Sequence, residues 1–396
     1  MSIAEETQKE AVKLLREIST AKGFVATTEE HDNYYRVWGR DGVICALGAL
    51  MSEEEDLIDT SKKTLETLSE FQDHTGRIVS NVSLNGEKIS YGTTVGRVDA
   101  TLWYVIGMMR FTEATGDNYF FDTYKENIEK ALFYLECLEL NGRGLIYVPQ
   151  GGDWADEYLH EGYVLFDQLL YLIALTLFAK RTGDEYYTEK ASKLREIIKV
   201  NYTPTEENKD SDMVYHKSLY QKMVESYVPP LPIASFNPHR TYHHKDVFAV
   251  SLFMMLELAD KEACRDIIDS IGVEFVNSDF PIVPAFYPVI HEDEPDWKKL
   301  EANYLFHFKN KPFEFHNGGR WPMVHGFYIA GGNHDLHSEV ERFAQILARD
   351  NFRFPEFYHG RDCTSMGVSR LGMSAAGYLI AYHSAIENKK PFGRII

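Results

Sequence analysis

Residues 97–120 read RVDATLWYVIGMMRFTEATGDNYF, and residues 165–187 read LFDQLLYLIALTLFAKRTGDEYY. Both stretches run from an apolar segment of helical length through Thr-Gly-Asp into a Tyr-containing segment that begins another helix. Their similarity indicates a repeated helical hairpin, in which two helices are joined by a glycine-containing turn.

The same helical periodicity recurs through most of the chain. Strand signals are few and short, and the clearest is GLIYVP at 144–149. The Pro-rich stretch 228–238 is the longest interruption, and no low-complexity linker divides the chain. The periodicity predicts helices at 6–19, 41–52, 55–72, 97–115, 122–139, 162–181, 185–200, 212–225, 245–259, 261–271, 321–332, 335–349 and 370–386.

About a dozen helices in hairpin pairs, with long loops between some pairs, predict an all-α fold. We expect an (α/α)6 toroid that forms a single domain over residues 1–396. In this architecture the inner helices line a funnel, and the loops at one end form the site. A helical solenoid used as a binding scaffold is the alternative, but solenoids have a more regular period and fewer long aromatic-rich loops.

The composition limits the class of partner. Lys and Arg number 41 against 60 Asp and Glu, which gives a net charge of −19. Because nucleic acids and anionic membranes bind clustered Lys and Arg, neither is expected as a partner. Phe, Trp and Tyr make up 13% of the chain. This surplus fits either a bulky core or a ligand that stacks on rings, as sugars do.

Targeting and cysteine signals are weak. Four cysteines are scattered without the spacing of a zinc module or a disulfide framework. The N-terminal segment MSIAEETQKEAVKLLREIS has an amphipathic pattern and lacks the apolar core of a signal peptide. The longest apolar stretch, 163–180, contains Asp167 and Gln168, which predicts a buried helix rather than a membrane span. We therefore expect a cytoplasmic protein, and its oligomeric state stays open.

The segment HDNYYRVWGRDG at 31–42 places Arg40 and Asp41 beside Trp38. A guanidinium that donates and a carboxylate that accepts are suited to hold vicinal sugar hydroxyls. The alternative is a structural Arg–Asp pair in which Asp41 caps the following helix.

A second segment, VGRVDATLWYV at 95–105, places Asp99 and Trp103 four residues apart and therefore on one helix face. A carboxylate beside an indole inside an apolar helix is costly unless it has a partner or a ligand. This predicts that both residues bind substrate, with a capping Asp and a core Trp as the alternative.

The loop PQGGDWADEYLHEG at 149–162 crowds four carboxylates around Trp154: Asp153, Asp156, Glu157 and Glu161. Clustered carboxylates raise one another's pKa, and a nearby indole desolvates them. Such a setting keeps a carboxylic acid protonated near neutral pH, as a general acid requires. A solvated acidic loop and a calcium site are the alternatives.

Two later segments carry further polar candidates. FEFHNGGRWP at 313–322 holds a histidine, an amide, a guanidinium and an indole directly before an apolar helix, and its glycines allow close approach of a ligand to the backbone. FRFPEFYHG at 352–360 holds Glu356 among apolar neighbours, where a carboxylate is either paired internally or poised as a base. A helix start and an ion pair with Arg353 or Arg361 are the structural alternatives.

A histidine-rich stretch, NPHRTYHHKD at 237–246, lacks the i, i+4 spacing with a carboxylate that a zinc helix shows. We therefore predict no metal.

Five strings in order resemble the inverting (α/α)6-barrel glycosidases, and most closely the neutral/alkaline invertases and the amylo-α-1,6-glucosidase domain of glycogen debranching enzymes. The resemblance extends from about residue 30 to 386, nearly the whole chain. In the invertases, similar strings read VRD, VDSGLWW, HNGGSWP and PEYY followed by AGYLVA. The strings here are WGRD at 38–41, VDATLWY at 98–104, HNGGRWP at 316–322, PEFYHG at 355–360 and AGYLIAY at 376–382.

The resemblance implies a role for each matching residue. The family's general acid, in a Trp-or-Met-x-Asp string, corresponds to Asp156, and its general base, in Pro-Glu-Phe/Tyr-Tyr, corresponds to Glu356. Asp153 is a rival for the acid because it also flanks Trp154. The predicted substrate-binding residues are Trp38, Arg40, Asp41, Asp99, Trp103, Trp154, His316, Asn317, Arg320 and Trp321.

The resemblance further implies exo-hydrolysis of an α-glucoside with inversion, on a small-molecule or oligosaccharide substrate and without a metal or cofactor. The chain departs from the invertases in one place, where Glu157-Tyr158 follows the acid instead of Arg-Arg. The string Trp154-Ala155-Asp156 is more similar to the debranching glucosidases, so both sucrose-type and α-1,6-linked substrates remain open. Fructose, glucose, a glucan branch and glycerate are all possible leaving groups.

Two other function classes remain as alternatives. A sugar epimerase or isomerase on the same toroid would use a histidine pair, drawn from His243, His244, His316 and His359. A non-catalytic carbohydrate-binding scaffold would bind glucan and release no sugar.

Overall fold

The computed structural model describes residues 1–29, 33–276, 278–302, 307–332 and 335–394. His31 and Asp32 of the segment 31–42 lie outside the described residues.

The described part of the chain forms fourteen α-helices, which account for all thirteen predicted ones and add a short helix, α11. The helices are α1 Ile3–Glu17, α2 Asp41–Ser52, α3 Glu55–Glu70, α4 Val98–Thr115, α5 Asn118–Cys137, α6 Leu165–Thr182, α7 Glu185–Tyr202, α8 Lys217–Ser226, α9 Val247–Met255, α10 Lys261–Ile271, α11 Trp297–Leu300, α12 Pro322–Gly331, α13 Leu336–Arg349 and α14 Gly372–Glu387.

Each Thr-Gly-Asp turn contains both the end of one helix and the start of the next. Gly116 and Gly183 end α4 and α6 in the left-handed conformation, at φ +69° and +70°, which glycine adopts at no steric cost. Asp117 then caps α5 by accepting from the Phe120 amide, and Asp184 caps α7 in the same way. One tripeptide therefore closes an inner helix and opens an outer one.

Six helices form a closed inner ring, because α2, α4, α6, α9, α12 and α14 each contact the next and α14 contacts α2. Residues 98–112 of α4 are all buried, since an inner helix has neighbours on every side. The outer helix α5 buries one face instead, along Phe121, Ile128, Leu132 and Leu135. This arrangement confirms the predicted all-α (α/α)6 toroid.

Short strands join the loops that precede the inner helices. The pairs and triplets are β1 Ser19–Thr20 with β2 Gly23–Phe24, β3 Val37–Trp38 with β4 Asn81–Val82 and β5 Ile89–Ser90, β6 Tyr163–Val164 with β7 Ser235–Asn237 and β8 Arg240–Tyr242, β9 Lys245–Asp246 with β10 Phe286–Tyr287, and β11 Phe357–Tyr358 with β12 Ser365–Met366. Because β3, β6 and β9 come shortly before α2, α6 and α9, the strands brace the end of the toroid at which these helices begin.

The strand predicted at 144–149 is wrong. Val148 makes an isolated bridge with Gly162, and the rest of the segment is not a strand. The Gln168 side chain accepts from the Ile146 amide and donates to its carbonyl, both at 2.9 Å. A side chain thus satisfies the backbone groups that a neighbouring strand would otherwise bind.

Among the described residues, every helix is too short or too polar to cross a lipid bilayer.

Candidate active site

A cavity of about 380 Å³ opens at the end of the toroid where the inner helices begin. We call it the main cavity. Eight of the twelve predicted site residues line it, and they come from four of the motifs quoted above: Trp38, Arg40, Asp41, Trp154, Asp156, His316, Trp321 and Glu356.

Arg40 organises one wall of the main cavity. Its guanidinium donates to Asp99 at 2.9 Å and lies 3.3 Å from the Asp41 carboxylate. Asp41 and Asp99 occupy the first turns of α2 and α4, where the positive end of the helix dipole stabilises a carboxylate. Burial raises the pKa of both acids, and Arg40 opposes that rise. The wall therefore offers a fixed donor and a fixed acceptor to vicinal hydroxyls.

Three rings form a rigid aromatic wall. His316 stacks on Trp321 with ring centroids 5.3 Å apart, and Trp154 stands edge-on to both. The Trp154 indole is held by a hydrogen bond of 3.0 Å to Asp246. Burial lowers the pKa of His316 well below its usual value, so its ring is neutral near pH 7. Fixed uncharged rings of this kind suit the apolar face of a sugar.

The 149–162 loop brings two carboxylates to the main cavity. Asp156 accepts a hydrogen bond of 2.6 Å from Arg97, which also donates to the Gly151 carbonyl. Glu157 lies 3.4 Å from the Lys309 ammonium. Burial raises the pKa of Glu157 to about 7, and the charge of Lys309 opposes that rise. Neighbouring residues of one loop thus present two acids in different electrostatic settings.

Glu356 is held from two sides at the cavity wall. Its Oε1 accepts from the Tyr34 hydroxyl at 2.9 Å, and its Oε2 accepts from the Val368 amide at 3.3 Å. Burial raises the pKa of Glu356, opposed by Lys309 and by the two hydrogen bonds. The carboxylate therefore has a fixed orientation and an increased affinity for a proton.

Asp153 does not line the main cavity. It is 1% exposed, and neither of its carboxyl oxygens has a hydrogen-bond partner. Burial raises its pKa well above the usual value, with a further contribution from Asp246. Because Asp153 is buried away from the main cavity, Asp156 is the better placed of the two acids that flank Trp154.

Four predicted residues lie outside the main cavity. Asp99 is 1% exposed and acts through Arg40. Trp103 is fully buried among Phe residues of neighbouring inner helices, such as Phe166 and Phe248. Asp99 lies in the first turn of α4 and Trp103 one turn further along, so Trp103 is farther from the end of the toroid at which the cavity opens.

The amide of Asn317 and the guanidinium of Arg320 hold loops together. Asn317 accepts from the Ile290 amide at 2.8 Å and donates to the carbonyls of Ile290 and Asn310. Arg320 donates to the carbonyls of Phe280, Ile282 and Gly360. Both side chains shape the segment that presents His316 and Trp321.

The main cavity also contains residues that the motifs did not single out: Tyr34, Arg97, Lys309 and Phe315. Tyr34 lies in the segment 31–42 and Arg97 in 95–105, each close in sequence to predicted site residues. This closeness is a signal that could have identified both as site residues. Lys309 belongs to a segment, FKNK, without any motif.

No metal-binding cluster of three or more His, Cys, Asp or Glu side chains occurs in the described ranges.

No family model matches the sequence. An uncharacterized glycosyl hydrolase of Methanocaldococcus jannaschii is 27% identical over 135 residues, which make up 34% of this chain and 21% of that protein. The match therefore spans about a fifth of the length of this curated relative.

Solved structures of low sequence identity share the fold. A bacterial glucoamylase in complex with acarbose superposes with a TM-score of 0.67 at 16% identity, covering 98% of this chain and 56% of that one. The glucoamylase of Saccharomycopsis fibuligera gives a TM-score of 0.60 at 14% identity, with 97% and 95% coverage. A GH63 mannosylglycerate hydrolase from Thermus thermophilus, in complex with glucose, gives 0.64 at 11% identity, with 94% and 99% coverage.

Proposed function

We propose that this chain is a single catalytic domain that hydrolyses an α-glucoside from its glucose end, with inversion at the anomeric carbon. The observation that carries the proposal is the meeting of Asp156 and Glu356, 200 positions apart in the numbering, in one cavity with Arg40 and a wall of rings. Asp156 is the proposed general acid, and Glu356 is the proposed general base.

Besides the main cavity, Asp156 and Glu356 each line one further cavity, and it is a different cavity for each residue. Asp156 lines one of about 390 Å³ that contains Lys299, and Glu356 lines one of about 380 Å³ that contains Gly367. This supports a position for the two groups on different walls of the main cavity. Inversion needs such an arrangement, with carboxyls about 6.5–9.5 Å apart so that a water fits beside the base.

In the proposed reaction, Arg40 and Asp41 bind glucose hydroxyls while Trp154 and Trp321 pack on the ring. Asp156 gives its proton to the glycosidic oxygen as the bond to C1 breaks. Glu356 takes a proton from the water that attacks C1 from the other face. The hydrogen bonds from Tyr34 and Val368 keep the Glu356 carboxylate aimed at that water.

The comparisons support glycoside hydrolysis, since proteins of this fold include glucoamylases and a mannosylglycerate hydrolase, and the partial sequence match is to a glycosyl hydrolase. The motif resemblance favours glucose as the released sugar, from a sucrose-type or α-1,6-linked substrate. For the epimerase alternative, His243, His244 and His359 do not line the main cavity, whereas His316 does. The four candidate histidines, all within the described ranges, therefore do not form a pair for proton transfer at carbon in this cavity.

The stereochemistry of the product tests the proposal. We expect glucose release from at least one member of a panel of α-glucosides (sucrose, isomaltose, trehalose and glucosylglycerate), and the first anomer seen by proton NMR should be β-glucose. α-Glucose as the first product would contradict inversion. A folded wild-type protein that releases no glucose from the whole panel would contradict the activity itself.

Gly367 is expected to be required for the position of the base. It has φ +69°, and a Cβ at this position would overlap the Glu356 carboxylate. Gly367→Ala should therefore lower kcat about 100-fold, the order of effect of a misplaced catalytic group. The measurement is kcat on the best substrate of the panel, with unfolding by denaturant alongside.

Gly116→Ala is the matched control, because Gly116 has the same φ of +69° and no atom lies within 4 Å of its added Cβ. Both variants should lose about 1–2 kcal/mol of stability from the left-handed backbone. Equal losses of kcat in the two variants would show that backbone strain, rather than contact with Glu356, is the cause.

A further inference from the structure

Asp246 lies next to the aromatic wall of the main cavity without lining the cavity itself. It ends β9, caps α9 and is 2% exposed. Its two carboxyl oxygens have different partners: Oδ1 accepts from the Ala249 amide and Oδ2 accepts from the Trp154 indole, both at 3.0 Å. One carboxyl group therefore joins the start of an inner helix to a ring of the cavity wall.

Trp154 is held at both its ring and its backbone. Arg40 donates to the Trp154 carbonyl at 3.5 Å, while Asp246 binds the indole. The proposed acid, Asp156, comes two residues later in the same loop. The position of Trp154 therefore sets both the ring that packs on the sugar and the stretch of backbone that presents the acid.

Ring packing alone does not fix the orientation of this indole. Trp154 stacks on Phe286 with ring centroids 5.6 Å apart and stands edge-on to Phe248 at 5.5 Å. Stacking constrains the plane of the indole but leaves its rotation within that plane free, whereas a hydrogen bond has a preferred direction. Because Trp154 is 2% exposed, loss of the Asp246 oxygen would also leave a buried N–H without this acceptor, which is unfavourable.

From these contacts we infer that Asp246 is a positioning residue of the proposed active site, and that it acts through the Trp154 indole on the cavity wall and on the loop that carries Asp156. The inference rests on the proposed function and adds a residue that neither the motifs nor the lining of the main cavity identifies. Asp246 is the last residue of the histidine-rich stretch 237–246. This stretch thus contributes to the site through a carboxyl group rather than through its histidines.

The chemistry of the two contacts requires aspartate at this position. A carboxylate offers two acceptor oxygens, one for the helix amide and one for the indole, whereas asparagine offers one. Burial raises the pKa of Asp246 to about 7, and the hydrogen bonds from Trp154 and from the α9 amides oppose that rise. Both contacts therefore favour the form of Asp246 that can accept twice.

A double-mutant cycle tests whether Asp246 acts through the indole. Asparagine caps a helix as well as aspartate does, so Asp246→Asn can keep the Ala249 contact while its amide group meets the indole N–H donor to donor. It should lower kcat/KM on the best α-glucoside about 10-fold, the order of effect of a lost hydrogen bond to a charged group. Trp154→Phe removes the N–H and keeps an aromatic ring, and the double variant should lose no more than Trp154→Phe alone.

Proton exchange of the Trp154 indole N–H, followed by NMR, measures the contact without any substrate. Trp154→Phe assigns the resonance, because the signal disappears in that variant. Exchange with solvent should be about 10-fold faster in Asp246→Asn than in wild type, since the acceptor of the hydrogen bond is lost.

Asp117→Asn is the matched control. Asp117 also divides its oxygens between a cap and a side chain: Oδ1 accepts from the Phe120 amide at 2.9 Å, and Oδ2 lies 3.0 Å from the Lys62 ammonium. It caps an outer helix at the end of the toroid where the inner helices end. This variant should keep kcat/KM within about 3-fold of wild type, as substitutions away from the site do, and should leave the indole exchange rate unchanged.

Two results would overturn the inference. The first is an equal fall of kcat/KM when Asp246→Asn is made in wild type and in Trp154→Phe, because that is the effect of a helix cap alone. The second is an indole exchange rate that Asp246→Asn leaves at the wild-type value. If wild type releases no glucose from any α-glucoside, the proposed function fails instead, and the exchange rate then decides whether Asp246 positions Trp154.

Discussion

Glu356→Gln is expected to lower kcat about 10²- to 10⁴-fold while the fold stays intact, because the amide cannot accept the proton of the attacking water. Glutamine has the size of glutamate, and its oxygen can still accept one of the two hydrogen bonds, from Tyr34 or from Val368, that hold the side chain. The measurement is kcat on the best α-glucoside, with circular dichroism to monitor the fold.

Azide separates a base from a residue that merely shapes the cavity. As an anion it attacks carbon without losing a proton, so it should restore part of the turnover of Glu356→Gln and yield β-glucosyl azide. If Glu356 only filled space, Glu356→Gln would keep the wild-type kcat, and azide would have no lost turnover to restore. Failure of azide to restore any turnover, with azide shown to reach the site, would count against the assignment.

Glu314→Gln supplies the matched control for this experiment. Glu314 and Glu356 both line the second cavity that contains Gly367, but Glu314 does not line the main cavity. The same change of charge next to the site should alter kcat less than about 3-fold, since Glu314 does not face the main cavity in which the proton is transferred. A comparable loss in both variants would show that general electrostatics, rather than proton acceptance by Glu356, explains the effect.

The toroid was predictable because its helices follow a pattern that recurs along the chain. The Thr-Gly-Asp tripeptides at 115–117 and 182–184 mark where an inner helix ends and an outer one begins. The segment 144–149 is not a strand because the Gln168 side chain binds its backbone, and Gln168 is more than fifteen residues away in sequence. Local propensity carries no information about such a partner.

Site residues could be predicted from the sequence where a motif lies at the start of a helix. They could not be predicted where the direction of the side chain decides whether a residue faces the cavity or the core. Asp41 and Asp99 both precede buried stretches, and both lie next to Arg40. Trp103 and Trp154 each follow an aspartate, yet one packs in the core and the other lines the cavity. Lys309 was not predicted as a site residue, because its contact with Glu157 depends on the fold and sequence spacing does not encode it.

Asp156→Asn is expected to lower kcat by a similar factor, about 10²- to 10⁴-fold, on any α-glucoside whose leaving group needs a proton. On α-glucosyl fluoride the loss should be much smaller, because fluoride leaves without general acid help. Glu157→Gln is the comparison variant, since Glu157 lies in the same cavity with a pKa raised to about 7 by burial. Its kcat should change less than about 10-fold on both substrates.

The same pair of variants decides which carboxyl donates the proton. Glu157 would be protonated in part at neutral pH, which suits an acid, but its carboxylate pairs with Lys309 on the cavity wall. Asp156 pairs with Arg97 and lines the same two cavities as Glu157, so the family resemblance, rather than position, is what favours Asp156 as the acid. A substrate-dependent loss in Glu157→Gln, with near-normal turnover in Asp156→Asn, would move the role of general acid to Glu157.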